Sequence, residues 1–126
     1  MKTRIEKEYF ENGKIRKKIP YLNGLKHGIQ IEYTSLGGTF KTSYKNGLKW
    51  GIEEYYTYGN KYSEIFYTKG KKEGFKKYYN NENVWATVFY RNDNPVIRKV
   101  YFKDKNLKFL NFVKSNIKLR FKEYEN

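Results

Sequence analysis

The chain has 126 residues, with 27 Lys and Arg against 13 Asp and Glu and no cysteine. That composition excludes a disulfide frame and a thiolate metal site, and a formal charge of +14 points toward nucleic acid, anionic lipid or an acidic protein face. A fifth of the residues are aromatic, which excludes a disordered chain and implies a thin structure whose apolar surface is carried by large rings.

Taken from the start, "MKTRIEKEYF" is charged and has no apolar h-region. No later stretch approaches the roughly 18 apolar residues of a membrane span, so the expected location is cytoplasmic. From residue 9 a repeat takes over. Tyr21, Tyr44, Tyr67 and Tyr90 stand 23 residues apart. Asn23, Asn46 and Asn92 keep the same spacing, with Lys69 in the remaining slot, and Gly24, Gly47 and Gly70 follow them. A second glycine recurs at Gly28, Gly51 and Gly74, and each phrase closes on a ring, at Tyr33, Tyr56, Tyr79 and Phe102. The fourth copy, "YRNDNPVIRKVYF", carries Asp93 and Ile97 in the glycine slots and adds Pro95.

Each unit holds two short segments separated by turn residues. In "GIQIEY", Ile29, Ile31 and Tyr33 alternate with Gln30 and Glu32, the period of a strand. "GFKKYY" can also be read as one helical turn, but its length and flanking glycine favour a strand. "KYSEIFY" and "VWATVFY" are β-branched and aromatic, as strands prefer. Asn-Gly at positions 12, 23 and 46 supplies the positive φ of tight hairpin turns. The predicted fold is therefore all-β: a single-layer, twisted antiparallel meander of hairpins with a 23-residue repeat. One domain spans 1–126, with a partial repeat at 9–20, repeats at 21–43, 44–66 and 67–89, a degenerate copy at 90–112, and a capping strand at 113–126. The period places Ile19, Thr42, Ile65 and Val88 in one column. Ser43, Phe66, Phe89 and Phe112 form the next column, on the opposite face.

No catalytic centre is expected. His27 is the only histidine, and its repeat equivalents are Trp50, Glu73 and Val96, which suits a solvated turn slot better than a catalyst. Without a second His or any Cys, neither a zinc site nor a Cys–His nucleophile can be assembled. Glu53 and Glu54 are adjacent, so on a strand they face opposite ways. The glycines match neither a P-loop nor a dinucleotide fingerprint, and no cofactor is implied. The candidate partner-binding residues are basic: Arg91, Arg98, Lys99, Lys103, Lys105 and Lys108, continuing with Lys114, Lys118 and Arg120. Only Asp93 and Asp104 oppose them over residues 91–122. His27, Trp50 and Glu73 join the candidates because they vary within a constant phrase.

"YLNGLKHG", "YKNGLKWG" and "YTKGKKEG", each followed by a strand ending in Tyr, resemble the variant MORN repeats of the YwqK-type antitoxin family over roughly residues 9 to 102. The resemblance implies a non-enzymatic sheet used in protein association, membrane attachment or toxin neutralisation. The expected function is a non-catalytic protein that docks on and inhibits a macromolecule, as an antitoxin, immunity factor or phage-type inhibitor does. Its partner would be a protein or a protein–nucleic acid complex such as a nuclease with its RNA. The alternative is direct RNA or single-stranded DNA binding by basic, aromatic strands. A third class is attachment to an anionic membrane, for which no amphipathic helix or lipidation motif is present.

Overall fold

The computed structural model describes residues 2–101 and 109–113. Strands follow one another in chain order: β1 (Thr3–Tyr9), β2 (Ile15–Leu22), β3 (Leu25–Lys26), β4 (Gly28–Tyr33), β5 (Gly38–Lys45) and β6 (Leu48–Thr57). They continue as β7 (Asn60–Thr68), β8 (Lys71–Lys72), β9 (Gly74–Asn80), β10 (Asn83–Arg91), β11 (Asn94–Tyr101) and β12 (Phe109–Val113). All join one open antiparallel sheet in the order β1-β2-β4-β5-β6-β7-β9-β10-β11-β12, while the two-residue segments β3 and β8 pair back onto β2 and β7. The chain is an all-β, single-layer meander, and "GFKKYY" is the strand β9. Among the described residues no helix is long and apolar enough to cross a membrane. Of the expected capping strand, Val113 ends β12 and the remainder lies outside the described residues.

Tight turns set the meander. At Asn46-Gly47 both residues take positive φ, 51° and 86°, the backbone of a two-residue hairpin turn that twists with its strands. Asn12-Gly13 differs, because only Gly13 is left-handed. There the Asn12 side chain accepts a hydrogen bond from the Lys14 amide at 2.9 Å, and the connection is wider. Asn92-Asp93 keeps the tight turn without glycine, at φ 55° and 72°. Successive turns are tied together: the amides of Gly47, Gly70 and Asp93 donate to the carbonyls of Lys26, Lys49 and Lys72 at 2.8, 2.8 and 3.0 Å. Each unit thus leans on the one before it, as expected of a repeat that cannot be stable alone.

Directly opposed residues of antiparallel strands share a face, so the pairing sorts the side chains. Thr42 opposes Glu53, which opposes Ile65; alternation puts Ile19, Gln30 and Val88 on the same side. Ile19, Gln30, Thr42, Ile65 and Val88 are all buried, and this is the packed face. Beside that column a row of rings crosses five strands. Phe40–Tyr55 centroids are 4.4 Å apart, Tyr55–Tyr62 and Tyr62–Tyr78 are both 5.9 Å, and Tyr78–Trp85 is 5.8 Å. No large side chain is fully buried among the described residues. Lateral crowding within the sheet replaces a two-layer core.

The fourth hairpin changes the register. Tyr44 opposes Lys49 and Thr42 opposes Glu53, so β6 carries two extra residues around Gly51. Tyr90 opposes Pro95 and Phe89 opposes Ile97, so β11 carries only one. Gly51 sits at φ 106°, and a Cβ there would stand 3.2 Å from Ser43 Cβ; a branched residue such as Ile97 cannot reproduce that bulge. One residue of slip reverses every later side chain. Arg98, the repeat counterpart of Phe75, therefore opposes Val88. Phe112 opposes Arg98 and falls at a register position of the Val88 column. The expected column of Ser43, Phe66, Phe89 and Phe112 thus holds only for its first three members.

Candidate docking face

The face opposite the packed one carries an apolar row. Ile5 opposes Pro20, Ile29 opposes Ser43, and Ile52 opposes Phe66. Phe75 opposes Phe89 with ring centroids 4.9 Å apart, and Phe89 opposes Ile97. Ile29 is 59% exposed, Ile52 45%, Phe66 43% and Phe75 45%. A lone exposed apolar side chain is ordinary, whereas a run across adjacent strands marks an interaction surface; Ser43 separates Ile29 from the uninterrupted run of Ile52, Phe66, Phe75 and Phe89. At its centre Ile52, Phe66 and Phe75, with Glu64 and Lys77 at the rim, bound a shallow depression of about 240 Å³.

A charged row runs beside it on the same face. Lys7 opposes Lys18, and Lys41 opposes Glu54. Glu54 opposes Glu64, Glu64 opposes Lys77, and Lys99 lies across Thr87 from Lys77. Two carboxylates directly opposed would repel, and Lys61 resolves this by reaching both, at 2.8 Å each. The Lys61 hydrogen bond holds the Glu54 carboxyl below its usual range against the opposing effect of burial. The two glutamates push the Lys61 ammonium up. Lys61 leaves this pair with one net negative charge, and Lys7, Lys18, Lys41, Lys77 and Lys99 make the border as a whole electropositive. The sequence pairing considered above, Glu53 with Glu54, is divided between faces: Glu53 opposes Ile65 and Glu54 opposes Glu64.

The packed face spends its charges internally. Glu53 accepts from Thr42 Oγ1 at 2.8 Å and from Lys49 Nζ at 3.1 Å. Arg4, Lys26, Lys49 and Lys72 lie over the rings of Tyr21, Tyr44, Tyr67 and Tyr90 at 4.2 to 5.0 Å. Burial raises the phenol pKa of Tyr44, Tyr67 and Tyr90.

The loop-slot candidates are built into the hairpins. The His27 and Glu73 amides donate to the Pro20 and Phe66 carbonyls at 3.1 and 2.9 Å. The Glu73 carboxylate accepts from the Asn92 amide at 3.1 Å, and Lys45 lies 4.8 Å from the Trp50 ring centroid. All three are half-buried, not solvated as the sequence suggested, because the bulge folds this slot back against the preceding strand. The basic candidates do not form one surface. Arg91 is exposed with its guanidinium over Phe89, Arg98 is on the packed face opposite Val88, and Lys99 is on the open face opposite Thr87. Lys103, Lys105, Lys108, Lys114, Lys118 and Arg120 lie outside the described residues.

Sequence reasoning missed Ile29, Ile52, Phe66 and Phe75 as a site, and Lys41 and Lys77 as its border. A signal was present: Ile65 and Phe66 are consecutive apolar residues in a strand, and a one-layer sheet can cover only one of their two faces. No protein-family profile matches the chain and no curated protein matches it.

Proposed function

We propose that this protein is a non-catalytic binding scaffold that docks on a protein partner through the open face and inhibits it by occlusion. The carrying observation is the apolar row in which Ile29, Ile52, Phe66 and Phe75 are exposed and Phe89 is half-buried at the end, bounded by lysines. Hot spots of association are apolar and aromatic anchors within a polar rim, and the row has that anatomy. The likeness of the repeated phrases to the YwqK-type antitoxins fits a role as antitoxin, immunity factor or phage-type inhibitor, acting in the cytoplasm on a protein or a nuclease–RNA complex. The test is affinity purification from the native host with the wild type and with Phe66→Thr/Phe75→Thr, after circular dichroism shows both to be folded. One protein should co-purify in stoichiometric amount with the wild type and be lost with the variant. Identical recoveries from the two baits would overturn the proposal.

A second reading, direct binding of single-stranded RNA or DNA, is favoured by Tyr62 and Trp85. These members of the packed-face ring row are 42% and 38% exposed, and Lys76 lies over the neighbouring Tyr78. Against it, each of these rings already contacts another. Phosphate-driven binding would weaken log-linearly with salt, so the absence of any shift of oligonucleotides at low salt would remove this reading.

A further inference from the structure

The open face has three conceivable occupants, and the chemistry around the row separates them. A second copy of the chain would bring lysine rows against lysine rows. A lipid surface would press on Glu54 and Glu64, which lie at the middle of the row, and would gain nothing from the depression between Ile52, Phe66 and Phe75. That depression is the size of one large apolar side chain and suits a protein anchor. Lys41 and Lys77 flank the Glu54–Lys61–Glu64 group, two carboxylates sharing one ammonium, on either side, so the border presents two positive positions separated by a centre of one net negative charge.

The direction of the row constrains the shape of the occupant. It crosses the strands, so it cannot be reached by adding a strand to a sheet edge. Strands lie about 4.8 Å apart and an α-helix rises about 5.4 Å per turn. A helix laid along the row therefore offers one apolar anchor for nearly every strand. An extended segment repeats its side chains on one side only every ~6.8 Å and falls out of step. From Ile29 on β4 to Phe89 on β10 the row spans about 24 Å, the length of a helix of about 16 residues.

We infer that the open face takes an acidic amphipathic helix of about four turns from its protein partner. Its apolar stripe lies on Ile52, Phe66 and Phe75, and acidic residues about three turns apart meet Lys41 and Lys77. This rests on the docking function proposed above and gives it a partner chemistry.

The test uses a displayed library of 16-residue amphipathic helices whose flanking positions are randomised among Asp, Glu, Lys, Arg, Ser and Gln. It is selected on the full-length protein and counted by sequencing. Clones with acidic flanks should be enriched at least tenfold over clones with basic flanks. That enrichment should disappear on Phe66→Thr/Phe75→Thr and invert toward basic flanks on Lys41→Glu/Lys77→Glu. Enrichment of neutral or basic clones that still requires Phe66 and Phe75 overturns the acidic-helix inference and leaves the docking function standing. Enrichment indifferent to both variants, or none, overturns the inference, and the host purification then decides the docking function separately. Phe66- and Phe75-dependent sedimentation with phosphatidylserine vesicles, without peptide enrichment, overturns it in favour of a membrane. A dimer abolished by the same variant overturns it in favour of a second copy.

Discussion

Lys26 Nζ stands 4.8 Å from the centroid of the Tyr44 ring, although the two residues belong to consecutive repeats. Lys49 and Tyr67 repeat the relation at 4.8 Å, and Lys72 and Tyr90 at 5.0 Å. Lysine ends the short segment after one turn, and tyrosine opens the next unit. The two most constant side chains of the phrase are therefore a clasp between units, and their constancy follows from packing within the sheet. A ring face attracts an ammonium by its quadrupole, and the clasp also keeps the cation over a tyrosine whose polar end needs water.

The clasp should be measurable as a coupling. In a double-mutant cycle of Lys26→Met and Tyr44→Leu, followed by urea denaturation, the coupling energy should be about 0.5–1 kcal/mol. Because the contact is short-ranged and partly shielded, it should persist at high salt. A coupling indistinguishable from zero would mean that the ring is held by its strand neighbours alone.

Alkaline pH should unfold the sheet through the same tyrosines. Burial, and for Tyr44 and Tyr67 the nearby Glu53, raise their pKa above the ordinary value of 10.0; burial also raises Tyr90. A phenol whose folded pKa is raised stabilises the fold below the unfolded value and loses that contribution as pH climbs through the folded one. Ultraviolet titration should resolve a class of phenols ionising later than the rest, coincident with loss of the β-sheet signal. If all 14 tyrosines titrate as one class with the fold intact, the phenols are not clasped as described.

Lys61 should matter only while its glutamates are charged. Replacing it by Met leaves Glu54 and Glu64 opposed without a shared cation, which should cost about 1 kcal/mol at neutral pH. Glu54 has a lowered folded pKa, so its contribution is present above the unfolded value of about 4.3 and lost as pH falls through the folded one. The gap in stability between wild type and Lys61→Met should therefore close on acidification. A gap that stays constant to low pH would show that the lysine stem, and not its charge, is what the sheet needs.

Much of this architecture was legible because the repeat carries its own register. Tyr, Asn-Gly and the second Gly recur together, and period-two segments such as "GIQIEY" mark the strands, although there the polar Gln30 is buried and Ile29 is exposed. That Ile19, Thr42, Ile65 and Val88 share one column follows from that register, and the structure shows that this column is the buried one. What could not be read was the bulge. The sequence shows that Gly51 is replaced by Ile97, but not that the replacement shortens the bulge by one residue and moves Arg98 and position 112 into the register of the Val88 column. The open face was obscured for a different reason: Phe66 and Phe89 look like core in any strand. Only the absence of a second layer leaves them uncovered. The lysines at positions 41 and 77 are scattered in sequence and meet across strands, with no local signal to join them.

Gly51 should be the least replaceable turn residue of its unit. Alanine there must adopt φ 106° and place a methyl group 3.2 Å from Ser43 Cβ, so two penalties add. Gly51→Ala should destabilise by about 2 kcal/mol and weaken amide-exchange protection from β5 to β7 before other strands. If the loss is within a few tenths of wild type, the β6 bulge can adopt the shorter form seen in β11, and the slip in the fourth repeat is then an accessible alternative throughout.

Glu82 offers the reverse case. It occupies the second position of the Asn81-Glu82 turn at φ 70° and is exposed. Its repeat counterpart, Gly59 of the Tyr58-Gly59 turn, takes a similar value of 85°. A residue with a Cβ is held in the left-handed region at a cost of about 1–2 kcal/mol, against which glycine's extra loss of freedom on folding offsets roughly 0.5–1 kcal/mol. Glu82→Gly should therefore stabilise the protein by about 0.5–1 kcal/mol and raise Tm by about 3 °C, and it should leave the open face and its binding unchanged. A fall in Tm would mean that the carboxylate contributes more to the β9–β10 hairpin than the strain it imposes. In that event the turn is held by its side chain and not by its backbone geometry.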